Sequence, residues 1–305
     1  MKSRAGPNGV HLFDRRSGLN ILLDELQSDE GEWAKAPRQV SVALTNVCDL
    51  HCAYCYAPKH KASLREDDVV TWLKEIDGAG CLGVGFGGGE PTLHPGFSEI
   101  CRRVAEETQL AVTFTTHGHR LSQQLVDSIK GSVHFVRVSV DGMGATYEAL
   151  RGRTFADLLP GVERLARATP FGINVVVNDQ TVSALEGLGR LARELGACEL
   201  LLLPQQATPS AAGISESTNR ALGDWVRSYR GAVRLAVSEA GASGLPTCDP
   251  LPDERGLRAY AHIDASGMLR ASSYSPTATA IGSDGAMAAL MRLAKTIGIR
   301  QEMEA

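Results

Sequence analysis

The chain has 305 residues, 43% hydrophobic and 22% charged, a balance that excludes a disordered, collagen-like or coiled-coil protein and allows one large domain with an appendage. Lys+Arg 31 against Asp+Glu 35 leave a formal charge of -4, so no overall field draws the chain to nucleic acid or an anionic membrane. No stretch reaches the roughly 18 uninterrupted apolar residues of a membrane span, and Asp14, Arg15, Arg16, Asp24 and Glu25 interrupt the early apolar residues, so no export signal is expected.

The first 36 residues, with apolar runs Val10 to Phe13 and Leu19 to Leu23, read as a leading hairpin or helix. Residues 37–210 then repeat one unit, a short apolar run rich in β-branched residues followed by an amphipathic stretch. The six predicted strands are Gln39 to Leu44, Leu82 to Phe86, Ala111 to Thr115, Phe135 to Val140, Gly172 to Val177 and Cys198 to Leu203. Their spacing leaves room for a crossover helix each time, which implies parallel pairing with right-handed connections. Glu66 to Ile76 places Val69, Val70, Leu73 and Ile76 near one helix face, with Ser63 and Glu66 as a capping box. Thr154 and Asp157 repeat that start signal ahead of Leu158 and Val162.

Beyond a loop at 205–215 the pattern changes. A helix around 218–229, a strand near 233–237, a hairpin of 260–263 and 268–271 turning on Asp264 to Gly267, and a final helix over about 285–296 read as an appendage spanning 211–305. Six βα units either curl into a partial barrel or open into a doubly wound sheet, and in both cases chemistry gathers at the carboxyl ends of the strands. The unusual residues do follow the strands: Cys48 to Cys55 the first, Gly87 to Pro91 the second, Thr115 to Gly118 the third and Ser139 to Gly142 the fourth.

Seven cysteines, three of them within eight positions, suit a reducing cytosol and a metal or redox role, so a cytoplasmic protein is expected. Cys48, Cys52 and Cys55 form C-x3-C-x2-C. Three thiolates so close can hold three irons of a [4Fe-4S] cube and leave the fourth iron to a small molecule. Zinc is the alternative, although neither His51 nor His60 completes a familiar finger pattern. Cys81, Cys101 and Cys198 sit in apolar or helical surroundings and read as packing residues.

Cys48-Asp-Leu-His-Cys52-Ala-Tyr-Cys55 followed by Gly88-Gly89-Glu90-Pro91 resembles the radical S-adenosylmethionine superfamily. The resemblance covers roughly residues 38–204 and implies an α/β fold, a partial (β/α)6 TIM-like barrel, with one [4Fe-4S] cluster on Cys48, Cys52 and Cys55 and S-adenosylmethionine at its free iron. It implies that Tyr54 packs near the adenine, and that Gly88, Gly89 and Glu90 receive the methionine amino group. Ser139 and Asp141 would touch the ribose and methionine end, and Arg151 would pair with the methionine carboxylate, Arg153 being its near competitor. Thr116-His117-Gly118 stands where Thr-Asn-Gly is usual, which leaves His117 either a substrate-facing acid or base or a loop residue.

Ile263 to Ser273 is similar to the hairpin of SPASM or twitch extensions, with serine where a cysteine is usual. Beyond Pro204 only Cys248 remains, and one thiolate cannot secure a cluster, so a single cluster per chain is expected. Cys248, beside Asp249 and Pro250, is instead a candidate hydrogen-atom donor, or a relic of a lost cluster.

The resemblance implies an enzyme in which a flavodoxin- or ferredoxin-type donor reduces the cluster, S-adenosylmethionine is cleaved to a 5′-deoxyadenosyl radical, and hydrogen is abstracted from a ribosomally made peptide, giving epimerisation or crosslinking. The alternatives are radical chemistry on a small biosynthetic metabolite, or a non-catalytic iron-sulfur or zinc-binding protein. Neither nucleic acid nor membrane is an expected partner.

Overall fold

The computed structural model describes residues 1–208 and 211–298; residues 209 and 210 of the expected loop and 299–305 of the expected appendage lie outside the described residues. Strands β1 (Lys2–Gly6), β2 (Gly9–Asp14) and β3 (Leu19–Leu23) form an antiparallel meander, so the expected leading hairpin gains one more strand. Its polar side chains collect carbonyls that precede the strands of the main sheet. Buried Arg4 donates to the carbonyls of Ala36, Gly80 and Arg258 and pairs with buried Glu254 at 2.5 Å. Arg15 donates to those of Ala105, Thr108 and Leu110. The meander therefore closes the amino end of the sheet. A cavity of about 230 Å³ lined by His11, Asn20, Gln39 and Gly83 lies at that closed end.

All six predicted strands form, each within two residues of its expected bounds: β4 (Gln39–Thr45), β5 (Gly83–Gly88), β6 (Ala111–Thr116), β7 (Phe135–Ser139), β8 (Phe171–Val177) and β9 (Glu199–Pro204). They pair in sequence order and all parallel. Helices α1 (Glu66–Gly78), α2 (Phe97–Glu107), α3 (Gln123–Ile129), α4 (Gly144–Arg151), α5 (Phe155–Ala166) and α6 (Leu185–Glu194) connect them. Alternate residues such as Val84, Val112, Val136, Val138, Ile173 and Leu200 are fully buried, each contributing about 2 kcal/mol of apolar burial. The opposite, inner face carries the half-buried Ser41, Thr113, Thr115, Arg137 and Ser139. A partial barrel results, as expected, and its inner face carries these polar side chains.

The start signals were local and partly misleading. Helix α1 is capped at Arg65 without a side-chain bond; Ser63 instead donates to the Leu44 carbonyl at 3.4 Å, because the cysteine loop returns along β4. Thr154 occupies the N-cap of α5 but makes no capping bond, and Glu148 accepts from the Phe155 N–H in its place.

After α7 (Glu216–Ser228) the remaining strands join the same sheet. Strand β10 (Arg234–Val237) pairs parallel with β9, and β11 (Tyr260–Ile263) pairs parallel with β4, followed by antiparallel β12 (Met268–Arg270) and β13 (Ala278–Ala280). Helix α8 (Gly285–Thr296) closes the described chain. Residues from the expected appendage thus extend both edges of one ten-stranded sheet, and its outermost strands do not pair with each other.

Docking β11 on β4 sets His262 and Tyr260 beside Ser41, whose hydroxyl lies 2.6 Å from His262 Nδ1 and 2.5 Å from the Tyr260 hydroxyl. His262 is 6% exposed, and burial pushes its pKa down from 6.5 to about 4. The unfolded chain therefore binds this proton more readily than the folded one, so stability present above pH 6.5 is lost as pH falls toward 4. The shift corresponds to roughly 3 kcal/mol. Thermal melts between pH 7.5 and 4.5 should show this loss, and His262→Gln should flatten it; an equally steep profile in the variant would count against His262 as its source.

Candidate active site

The loop after β4 carries Cys48, Cys52 and Cys55 as free, half-buried thiols. The Leu50 N–H donates to Cys48 Sγ at 3.4 Å and the Cys55 N–H to the Cys52 carbonyl at 3.2 Å, which winds the loop around its sulfurs. Burial pushes the Cys48 thiol up, against the Leu50 N–H, and the Glu90 and Asp49 charges push the same way. Deprotonation of that thiol is thus coupled to metal arrival.

Glycines lock this loop to the next one. Gly88 has φ +113°, and a Cβ there would stand 2.3 Å from the Thr45 carbonyl oxygen; at Gly89 it would stand 2.2 Å from that of Val47. The close approach lets the Gly89 and Glu90 N–H groups donate to those same two carbonyls at 2.7 and 2.8 Å. Glu90 itself is 1% exposed. It accepts from the N–H and hydroxyl of Thr92, from the Thr116 hydroxyl at 2.8 Å and from the His117 N–H at 2.9 Å. Thr116 and Glu90 therefore act together as the organising hub of the mouth.

His117 bridges two loops. Its Nε2 lies 2.8 Å from Asp49 and 3.4 Å from Glu90, while its Nδ1 accepts from the His119 N–H at 3.1 Å. Accepting at Nδ1 places the proton of the neutral ring on Nε2, which then donates to the carboxylates. Cys48, Asp49 and His117 are the group of metal-capable residues within 4.8 Å of one another among the described residues, but this tautomer leaves no lone pair on Nε2 for an ion. The three cysteine sulfurs are not gathered at that spacing, whereas a single tetrahedral zinc with 2.3 Å bonds would hold thiolates roughly 3.8 Å apart. The donor set fits a larger iron-sulfur cube better than one ion.

Asp141, 0% exposed, is the second hub. It accepts from the Tyr54 hydroxyl at 2.6 Å and the Val176 N–H at 2.6 Å, and it pairs with Arg151. Burial works against the Arg151 charge, yet Asp141, Tyr54 and Cys52 outweigh it and hold the guanidinium above its ordinary range. Arg151 also lies over the Tyr54 ring at 5.8 Å, and its Nη1 is 3.7 Å from Cys52 Sγ. Arg153, the competitor, is half exposed and 3.6 Å from Asp49. The structure thus brings Tyr54, Asp141 and Arg151 together beside Cys52, with Ser139 on the inner face at the end of β7.

Tyr274, in the turn after β12, packs on Tyr56 with ring centroids 5.1 Å apart and brings the extension against the cysteine loop. Cys81 and Cys101 are buried as expected, but Cys198 is exposed, because it precedes β9 and lies outside the sheet core. Cys248 is exposed on a loop that Asp253 ties to Asn8 of the meander at the closed amino end. Sequence reasoning missed Asp49, for which adjacency to Cys48 was the available signal.

With this geometry in place, comparison with known proteins decides the family. The profile of the radical SAM superfamily matches residues 42–192, from within β4 to within α6. The chain belongs to the radical SAM superfamily. Members of that superfamily use a [4Fe-4S] cluster and S-adenosylmethionine. This radical SAM chain is 31% identical over 171 residues to the AdoMet-dependent heme synthase of Methanosarcina barkeri, covering 53% of this chain and 49% of the relative. It is 31% identical over 173 residues to the mycofactocin maturase MftC of Mycolicibacterium smegmatis, covering 53% and 43%. The chain thus spans about half the length of these relatives. In fold it is similar to Streptococcus suis SuiB bound to its precursor peptide SuiA, with TM-score 0.78 and 14% identity over 98% of this chain and 89% of SuiB. No helix among the described residues is long and apolar enough to cross a membrane.

Proposed function

We propose that this radical SAM chain is an enzyme that modifies a ribosomally made peptide, by epimerisation or crosslinking. The observation that carries the enzymatic reading is the junction of the cysteine loop with the Gly88-Gly89-Glu90 loop at the open end of the barrel. When bound, the cluster and S-adenosylmethionine supply a 5′-deoxyadenosyl radical able to abstract hydrogen from an unreactive carbon.

In this reading Cys48, Cys52 and Cys55 hold the cluster, and the Gly88-Gly89 backbone approaches the methionine amino group in the field of buried Glu90. Arg151 keeps Nε without a partner although that atom is buried, which leaves it a donor for the methionine carboxylate while Nη2 stays on Asp141. Tyr54 walls the site beside Arg151, and Ser139 faces it from β7. The polar groups of the inner face orient the substrate. A flavodoxin- or ferredoxin-type protein delivers the electron.

The peptide reading is supported by the maturase name of MftC and by the precursor peptide bound in SuiB. The heme synthase relative favours a second reading, chemistry on a small metabolite. The test is anaerobic: reconstituted protein, S-adenosylmethionine, reductant and a short peptide encoded beside its gene, in deuterated water, followed by mass spectrometry. A gain of one mass unit indicates epimerisation with a solvent-exchangeable hydrogen donor; Cys248→Ala then tests that thiol, and an unchanged product would remove the donor role from Cys248. A loss of two indicates crosslinking or dehydrogenation. Release of 5′-deoxyadenosine without any change in the peptide transfers the function to small molecules.

A further inference from the structure

The inner face of the barrel contains two polar atoms that are buried and without partners, Arg137 Nε and Asn174 Oδ1. They belong to adjacent strands. Ser139 of β7 is in register with Asn174 of β8, and Arg137 with Gly172 one inward position below. The bare backbone of Gly172 admits the Phe135 ring, and Arg137 lies over that ring with its guanidinium 5.1 Å from the centroid as it reaches β9, where its Nη2 donates to Glu199 at 2.8 Å. Asn174, 6% exposed, stands directly above that crossing and beside Ser139.

The donors and acceptors left over define a complement. Arg137 Nε–H can only donate, and Asn174 Oδ1 can only accept. A carboxylate would suit the arginine but would oppose the Asn174 oxygen. Turning the Asn174 carboxamide end for end would present an NH2 and reverse that preference; buried Glu199 is shared between Arg137 at 2.8 Å and exposed Arg234 at 2.5 Å, so the glutarate arm of the experiment below separates a carboxylate from an amide. A neutral group with one acceptor and one donor in a plane meets both atoms. Buried polar groups are as a rule hydrogen-bonded, so this pair calls for a group that completes it.

We propose that Asn174 and Arg137 are the substrate-orienting residues of this barrel and that they bind an amide, either a peptide main-chain unit or a carboxamide side chain. The proposal rests on the peptide reading above and names where on the inner face the peptide is held. Ser139 lies one strand over from Asn174, so an amide anchored there sits beside the position assigned to the S-adenosylmethionine ribose.

The experiment uses the full, cluster-reconstituted chain in equilibrium dialysis against a mixture of N-acetyl pentapeptide amides of mixed sequence, and separately against glutarate, with bound ligand read by mass spectrometry. Wild-type protein should enrich peptide amides and not glutarate. Asn174→Leu, of similar volume, should reduce enrichment at least tenfold and should melt a few degrees higher without ligand, because it removes a buried carboxamide oxygen that has no partner. Arg137→Lys, which keeps a cation for Glu199 but lacks Nε–H, should also lose enrichment, with its melting temperature near wild type. Binding of glutarate in preference to amides, undiminished amide binding by Asn174→Leu, or a lower melting temperature for that variant would each overturn the proposal. Dialysis requires no turnover, so absence of 5′-deoxyadenosine from wild-type enzyme would instead strike the enzymatic reading and leave this result to stand or fall by itself.

Discussion

Alanine at any one of Cys48, Cys52 or Cys55 should abolish both iron retention and S-adenosylmethionine cleavage. Three protein thiolates are the minimum that holds a cube with one iron open, and losing one leaves two. The neighbouring side chains cannot substitute. His117 carries its proton on Nε2 and donates it to Asp49, while Asp49 is further held near Arg120 and Arg153 at 3.8 and 3.6 Å. After anaerobic reconstitution, wild-type protein should carry about four irons and four sulfides per chain. Each single variant should carry less than about a tenth of that, whereas Cys198→Ala, exposed before β9, should be fully loaded. A Cys52→Ala protein that kept wild-type iron would remove the cluster assignment from this loop.

Asp141→Ala should be the most destabilising single change in the mouth. The side chain is 0% exposed and serves three donors, Tyr54, Val176 and Arg151. Its loss strands the Arg151 guanidinium, itself only 10% exposed, as a buried unpaired cation. Breaking a buried pair by removing one partner costs about 3–5 kcal/mol. In a protein of this size that lowers the melting temperature by roughly 5–8 °C. Replacing both partners with apolar residues of similar volume, Asp141→Leu with Arg151→Met, should recover much of that loss while S-adenosylmethionine affinity, measured by equilibrium dialysis, stays abolished. A drop of less than a degree in Asp141→Ala would mean that the pair is not the anchor of the site. Separately melted single and double variants give the coupling energy directly.

The legibility of this protein divides by distance along the chain. Strands β4 to β9 were readable because a sheet with helices on one side forces apolar residues to alternate with small or polar ones, and that period is visible in a short window such as Phe135 to Ser139. Cys48, Cys52, Cys55 and the Gly88-Gly89-Glu90 turn were readable because each set is compact and chemically unusual. Ser63 was misjudged because a capping box and a loop hydroxyl look alike locally; only the return of the loop along β4 assigned its bond to the Leu44 carbonyl. Cys198 read as buried because its neighbours are apolar, but it lies just outside the first residue of β9.

Sequence by itself therefore determined the parallel βα repeat, the thiol set, and the placement of unusual residues at the strands' carboxyl ends. Tertiary structure alone decided what those residues touch: Asp141 with Tyr54, 87 positions away, His117 with Asp49, 68 away, and Ser41 with His262, 221 away. It also decided that β11 pairs along β4 and that Asn174 stands above the Arg137–Glu199 pair. The physical reason is strand register. Local periodicity dictates which face a side chain takes, but partners across the sheet are set by how parallel strands align after their crossover helices pack, and no window of sequence contains that alignment.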